Sequence, residues 1–197
     1  MLTATMDFNS TLANGINEAI QFLRSDSIEP TDKIYRGLSS IGGRRTLTLH
    51  NPTYLDLLNT GNLSLYKDYD LCDAIIIFYQ NFASTVEILQ HNNHEHVDGV
   101  ILPEMIRDND IGFAVSEAIN NAVGFSEEDI KNQENLMELS HDSWMADLNM
   151  IRSSPSKKKK WLNMLELRMM GIFISDKKCE ELFLQADELL QRIEEIR

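Results

Sequence analysis

The most regular hydrophobic pattern of the chain lies between residues 68 and 90, where apolar side chains recur at intervals of three and four. This spacing keeps them on one side of an α-helix, so it predicts a long amphipathic helix that begins at Asp68 or Asp70. A β-strand is the alternative over Ala74 to Tyr79, which contains three consecutive isoleucines, but the long periodic run without turn residues favours the helix. The apolar side consists of Leu71, Ile75, Phe78, Phe82, Val86 and Leu89.

A shorter helix and a turn precede this long helix. Pro52 suits the first turn of a helix, because its missing N–H would have no intrahelical partner there, and Asn51 before it can act as the N-cap. Gly61 is well placed to end the short helix in the left-handed conformation. We expect Leu63 and Leu65, in the link that follows, to fold back onto the apolar side of the pair.

The N-terminal quarter of the chain predicts two more helices. The first covers Asp7 to Leu23, although Gly15 weakens it by about 1 kcal/mol relative to alanine. A turn from Ser25 to Pro30 leads to a helix from Thr31 to Leu38, and a pair of glycines ends it. Residues 44–50 form a connector in which threonine and leucine alternate over residues 46–49, but no partner strand is evident, so we expect coil. The inward positions are Phe8, Leu12, Ile16, Ile20, Leu23, Ile34, Tyr35 and Leu38.

The C-terminal part of the chain predicts a single helix that starts at Ser153 to Ser156. Its apolar phase survives across Gly171 and Asp176, which favours one helix of about 40 residues, roughly 60 Å long, over two unrelated helices. We expect this helix to be the spine of the fold and its apolar side to be packed. That side consists of Leu162, Leu165, Met169, Ile172, Cys179, Phe183, Ala186, Leu190 and Ile193.

The region between the two long helices is less regular. We expect residues 97–110, with a proline in the middle, to be irregular, and Ile111 to Val123 to be helical. Ser126 with Asp129 is an N-cap signal for one more helix. The apolar residues of that helix are Ile130, Met137, Trp144, Leu148 and Ile151.

Together these elements predict an all-α fold in which a bundle of two or three long helices is closed by shorter connecting helices. At 197 residues the chain is long enough to bury roughly 70% of its unfolded surface in one core. We therefore expect a single helical-bundle domain over residues 1–197.

The stretch around the long helix also resembles a known class of proteins. The matching residues are Asn51, Tyr54, Leu57, Gly61, Leu63, Leu65, Leu71, Ala74, Ile75 and Tyr79, together with the heptad-like end of the last helix. In these features the chain is similar to uncharacterised bacterial proteins with one transmembrane helix and a helical domain outside the membrane. The resemblance does not cover residues 91–149, and the transmembrane helix of that class is absent here. It implies an extracytoplasmic, membrane-anchored domain and carries no known activity.

Charge limits the partners that the chain can have. The net charge is −13, so the surface repels nucleic acid and anionic lipid, whereas a basic protein partner fits. Cys72 and Cys179 fall on or beside apolar faces, which favours buried free thiols over a disulfide and leaves the redox compartment open. No run of about 18 apolar residues could span a membrane. Residues 1–16 lack the features of a signal peptide, so the residues alone favour a cytoplasmic protein.

Candidate chemistry is sparse. His91, His94 and His96 with Glu95 resemble metal ligands, but Asn92 and Asn93 suggest that the helix ends there, so we expect a loop of structural or exposed histidines. Four lysines from Lys157 favour a solvated face over an anion or lipid site. The segment Tyr35 to Ser40 is similar to the arginine motif of ADP-ribosyl-transferring enzymes, but the strands and later motifs of those enzymes are absent. The sequence thus predicts no catalytic residue, no cofactor and no metal.

The leading hypothesis is a non-enzymatic interaction or sensory domain, normally tethered to a membrane, with a protein as partner. The first alternative is a soluble acidic cytoplasmic adaptor or inhibitor that binds a basic protein. The second is a metal-dependent enzyme that uses the cluster from His91 to His96. The oligomeric state stays open.

Overall fold

The computed structural model describes residues 2–48, 51–61, 68–108 and 145–196. No strand occurs among these residues, which confirms the predicted all-α fold. A 3₁₀-helix, Ser40–Gly42, follows α2, and a π-helix, Asn93–Ile101, joins α4 to α5. None of the described helices is both long and apolar enough to cross a lipid bilayer. The α-helices are α1 (Leu2–Arg24), α2 (Asp32–Ser39), α3 (Pro52–Asn59), α4 (Tyr69–Asn92), α5 (Leu102–Asp108), α6 (residues 145–153) and α7 (Pro155–Ile196).

The chain divides into two compact units. Unit 1 comprises Met1–Met6, Thr46–His91 and Ile174–Arg197, and unit 2 comprises Asp7–Arg45 and Asn92–Phe173. The helices α1 and α7 therefore each contribute residues to both units. The single domain over residues 1–197 stays a prediction.

Unit 2 contains a large hydrophobic core. Side chains from α1, α2, the 3₁₀-helix, the π-helix, α5, α6 and α7 meet in it. The inward positions expected for α1 and α2 are buried except for Phe8 and Ile20, which are half-buried. The core residues are Leu12, Ile16, Ala19, Phe22, Leu23, Ile34, Tyr35, Leu38, Ile41, Val97, Ile101, Met105, Leu148, Ile151, Trp161, Met164, Leu165 and Ile172.

The helices α1 and α2 approach each other closely at two glycines. A Cβ atom added to Gly37 would lie 2.2 Å from the carbonyl oxygen of Gly15, so only a residue without a side chain fits there. Gly15 lowers the helix propensity of α1, as expected, but it also allows this backbone contact. At the start of α2, Thr31 accepts a hydrogen bond from the N–H of Ile34 and acts as the N-cap.

Two predictions are wrong over residues 91–108: the loop that was expected to hold the histidines and the irregular structure expected from residue 97 onward. Asn92 and Asn93 do not end the helix: α4 widens into the π-helix, in which the N–H of Leu102 bonds to the carbonyl of Val97 five residues earlier. The Asn93 side chain donates to the carbonyl oxygen of Arg45 instead of capping a helix end. The helix then continues as α5 to Asp108, with Pro103 tolerated in its first turn.

The prediction of one long C-terminal helix is confirmed, since α7 runs without interruption over 42 residues. The turn after α3 is also confirmed, because Gly61 has a φ of 70°. Asn51 occupies the N-cap position of α3, but its side chain makes no capping hydrogen bond. Residues 44–48 are coil, as expected.

Other predictions lie outside the described residues. These are the fold-back of Leu63 and Leu65, the helix from Ile111 to Val123, and the N-cap at Ser126. Of the next predicted helix, only the end is described, as α6, and there both Leu148 and Ile151 are buried.

Candidate functional site

The side chains of α7 that face inward form a continuous heptad pattern, with steps of four and three residues. All of its positions from Trp161 to Leu182 are buried. No described residue of α7 after Leu182 is buried, although the pattern continues with apolar residues. Its positions are Trp161, Leu165, Arg168, Ile172, Ser175, Cys179, Leu182, Ala186, Leu189 and Ile193.

The last turns of α7 correct a prediction about packing. Leu190 was expected to be packed, but it is 57% exposed, and Ile193 is 45% exposed. Phe183, another expected packed residue, is also exposed. The helix therefore keeps its amphipathic sequence beyond the point where described residues of the chain cover it.

In unit 1, α4 and α7 pack together over only part of their lengths. Phe82 and Leu89 of α4 share a small core with Cys179 and Leu182 of α7. One helical turn beyond Leu182, the Asn81 side-chain amide donates to Gln185 Oε1 at 3.1 Å. This hydrogen bond is a polar boundary of the packed region.

Beyond that boundary a groove of about 460 Å³ lies between the two helices. Its apolar part is formed by Ala74, Ile77 and Phe78 of α4 and Leu189 of α7, and Ile77 is exposed. Its charged part consists of Asp70, Asp73, Glu188 and Arg192, all exposed. The side chains of Asp70, Asp73 and Glu188 make no ion pair or hydrogen bond within the described chain.

A smaller polar cavity of about 110 Å³ lies beside the Asn81–Gln185 hydrogen bond. Lys178 and Glu181 line it and form an ion pair with 2.6 Å between Nζ and Oε2. The hydrogen bond from Lys178 lowers the pKa of the Glu181 carboxyl. Glu181 therefore stays ionised and is already paired, unlike the three carboxylates of the groove.

A third helix adds apolar surface to unit 1. The ring of Tyr54 in α3 stacks on Tyr79 of α4, with centroids 4.0 Å apart and an interplanar angle of 7°. Tyr54 and Cys72 form a second small cluster. On the same short helix, Leu55 and Leu58 are exposed. Unit 1 thus has small cores and several exposed apolar side chains.

Unit 2 has a groove as well, of about 790 Å³, between α1 and α2. Most of the residues that line it have polar side chains, among them the amides of Asn14, Asn17 and Gln21. Lys33 and Glu18, which also line it, form an ion pair with each other. The segment Tyr35 to Ser40, which is similar to an ADP-ribosyl-transfer motif, lies in α2 and the start of the 3₁₀-helix, not in the strand that this motif requires.

The histidine cluster lies on a helix and not on the predicted loop. His91 and His94 are exposed and His96 is half-buried, and His94 Nδ1 lies 3.9 Å from Asp98 Oδ2. Among the described residues, no group of three His, Cys, Asp or Glu side chains is arranged to hold a metal ion. That the cluster binds no metal stays a prediction, which elemental analysis of the untagged protein can check.

The four lysines occupy the first turns of α7. Lys160 is half-buried, and its Nζ lies 3.2 Å from Glu104 Oε2, while Lys159 is exposed. Trp161 beside them is 1% exposed and belongs to the core of unit 2.

One buried cation was not anticipated from the sequence. Arg168 is 5% exposed, and its Nη2 donates to the carbonyl oxygen of Gly43 at 2.6 Å. Burial lowers the pKa of its guanidinium to about 10. Arg168 occupies an inward position in the heptad pattern of α7, between Leu165 and Ile172, and this position is the sequence signal for its burial. Arg168 fastens the connector after α2 to α7, so its evident role is structural.

Both cysteines are free and buried, as predicted. Burial raises the pKa of the Cys179 thiol, and the charge of Asp176 raises it further. The thiol is therefore protonated near neutral pH, which disfavours a role as nucleophile.

Comparison with known proteins identified no relative: no protein-family model, no curated protein and no solved structure matches the chain. The groove of unit 1 thus stands on its geometry alone. The apolar spacing in the sequence predicts Phe78 on an inward face, and the heptad-like end of α7 is visible there too. The spacing does not single out Asp70, Asp73 and Ile77, because their position beside the groove depends on where α4 and α7 separate.

Proposed function

We propose that this chain is a non-enzymatic interaction domain that docks a protein on unit 1, in the groove between α4 and α7. The observation that carries the proposal is the heptad pattern of α7: it continues after Leu182 with Leu189 and Ile193, but no described residue of α7 after Leu182 is buried. An apolar helix face of this kind costs free energy when it is left in water, and clustered exposed apolar side chains are typical of interaction sites.

The test of docking is site-directed photo-crosslinking in the cells that make the protein. A crosslinking amino acid at Leu190, next to the groove residue Leu189, should give one adduct of defined mass. Met170 is the matched control, since it lies on the same helix and is similarly exposed, at 49%. The adduct should disappear when Ile77→Ser is added. No adduct at Leu190, or the same set of adducts at both positions, would contradict docking at the groove.

The membrane tether is a separate part of the proposal, supported by the resemblance around residues 51–79. It predicts that the native protein sediments with membranes and stays there after a high-salt wash. Recovery in the soluble fraction would favour the alternative of an acidic cytoplasmic adaptor. The docking surface is the same in both cases.

A further inference from the structure

The charges around the groove indicate what kind of protein fits it. Asp70 and Asp73 lie one helical turn apart on α4, and Glu188 faces the groove from α7. Among the described residues that line the groove, Arg192 is the one cation. Because the three carboxylates have no partner within the described chain, they are available to cations of a binding partner.

The apolar residues of the groove have the spacing that a helix recognises. Along α4 the apolar lining consists of Ala74 and, about one helical turn later, Ile77 and Phe78. Leu189 lines the groove from α7. A groove between two helices accepts the apolar face of a third helix, whose contacts recur at i, i+3 or i+4, and i+7. Carboxylates beside such an apolar floor match an amphipathic helix with cations next to its apolar face.

A second copy of the chain is disfavoured as the occupant. Residues 180–195 of α7 contain six carboxylates and one arginine, and the whole chain carries a net charge of −13. Pairing two such surfaces would bring like charges together, which opposes association. The same charge attracts a cationic segment and speeds its encounter with the groove.

We infer that the groove between α4 and α7 binds a basic amphipathic helix of a partner protein. Its apolar face covers Ile77 and Leu189, and its Lys or Arg side chains pair with Asp70, Asp73 and Glu188. This inference rests on the proposed docking function and adds the chemistry of the partner.

The test uses the full-length protein and three synthetic peptides of about 18 residues, or five helical turns. The first peptide contains leucine at i, i+3, i+4 and i+7 with lysine on the flanks. The second has glutamate in place of lysine, and the third has the composition of the first in an order that is not amphipathic. Fluorescence anisotropy measures the affinities, and the methyl NMR signals of Ile77 and Leu189 locate the site. We expect binding of the first peptide alone, with shifts of both methyl signals and weaker binding at higher salt.

Charge variants separate the groove from the general acidity of the protein. The triple variant Asp70→Asn, Asp73→Asn, Glu188→Gln should weaken binding of the basic peptide by about tenfold. The matched control Glu87→Gln, Glu180→Gln, Glu195→Gln removes three exposed carboxylates from the same two helices outside the groove. It should weaken binding by about twofold at most, because those charges lie away from the peptide.

Several outcomes would overturn the inference. Equal binding of the acidic or the non-amphipathic peptide would show that charge and helical spacing do not determine recognition. An equal loss of affinity for the basic peptide in the two triple variants would show that only the net charge of the protein determines binding. Concentration-dependent self-association that Ile77→Ser abolishes would identify a second copy as the occupant. If the basic peptide fails while the Leu190 adduct persists, docking stands and only the partner chemistry is wrong. If the adduct is also absent, the proposed function fails with it.

Discussion

Unit 2 and unit 1 are built from the same kind of helix but differ in how completely their apolar faces are covered. In unit 2 one core joins 18 buried residues from seven helical segments. In unit 1 the two clusters contain five and two buried residues. Among the described residues, eight of the twelve exposed large apolar side chains belong to unit 1: Leu55, Leu58, Tyr69, Ile77, Phe183, Leu184, Leu190 and Ile193.

The helix α7 shows this difference within one element. Its sequence is amphipathic throughout, yet Leu165 is 0% exposed and Leu190 is 57% exposed. Amphipathicity therefore determines which face of a helix is available for packing, but not whether anything covers that face. The uncovered part is where we place the docking surface.

The largest expected effect compares these two leucines. Leu165→Ala should lower the free energy of unfolding by roughly 2 to 5 kcal/mol, because it leaves a cavity in the core of unit 2. Leu190→Ala should change it by about 0.5 kcal/mol at most, because the side chain is mostly in water. Both variants make the same change in the same helix, so helix propensity cancels. Chemical denaturation measures both, and a similar loss in the two variants would show that the end of α7 is packed.

The next effect compares two glycines of unit 2. Gly37→Ala should destabilise unit 2 by about 3 kcal/mol, because the new Cβ meets the backbone of Gly15 and forces α1 and α2 apart. Gly171→Ala is the control in the same unit, since the nearest atom, Arg168 Nη1, is at an ordinary 3.9 Å. It should be neutral or stabilise by up to about 1 kcal/mol through helix propensity. Thermal unfolding tests both, and a neutral Gly37→Ala would mean that the two helices can separate freely.

Substitution of Gly61 in unit 1 should lower stability for a different reason, namely backbone strain. Nothing lies within 4 Å of a Cβ added there, but its φ of 70° strains any β-branched residue. Gly61→Val should cost about 1 to 2 kcal/mol. Gly61→Asn should cost less, because asparagine tolerates this conformation better. Equal thermal midpoints for the two variants would contradict a strain that depends on side-chain shape.

The smallest effect concerns the Cys179 thiol in the small core of unit 1. Folding raises its pKa above the ordinary value of 9.0, so the folded state holds the proton more tightly than the unfolded state. This contribution to stability is complete below pH 9 and is lost as the pH rises through the folded pKa. Between pH 7 and pH 10 the free energy of unfolding of the wild type should therefore fall further than that of Cys179→Ala. An identical pH dependence of unfolding in the two proteins would show that the thiol is open to solvent.

The sequence alone determined most of the secondary structure. Periodicity predicted α1, α2, α4 and α7, while Pro52 and Gly61 predicted the ends of α3. These features are local: helical spacing, a missing N–H and a positive φ depend on neighbouring residues. The prediction failed at Asn93, where the helix-ending signal is weak and a tertiary hydrogen bond to Arg45 favours continuation.

The tertiary structure alone decided which apolar faces are covered. It buries Arg168 beside Gly43, brings Gly15 and Gly37 into backbone contact, and leaves Leu190 in water. Each of these depends on where distant segments of the chain lie, which the spacing of apolar residues within one helix does not encode. The physical reason is that amphipathicity makes burial favourable, while burial itself requires a second surface.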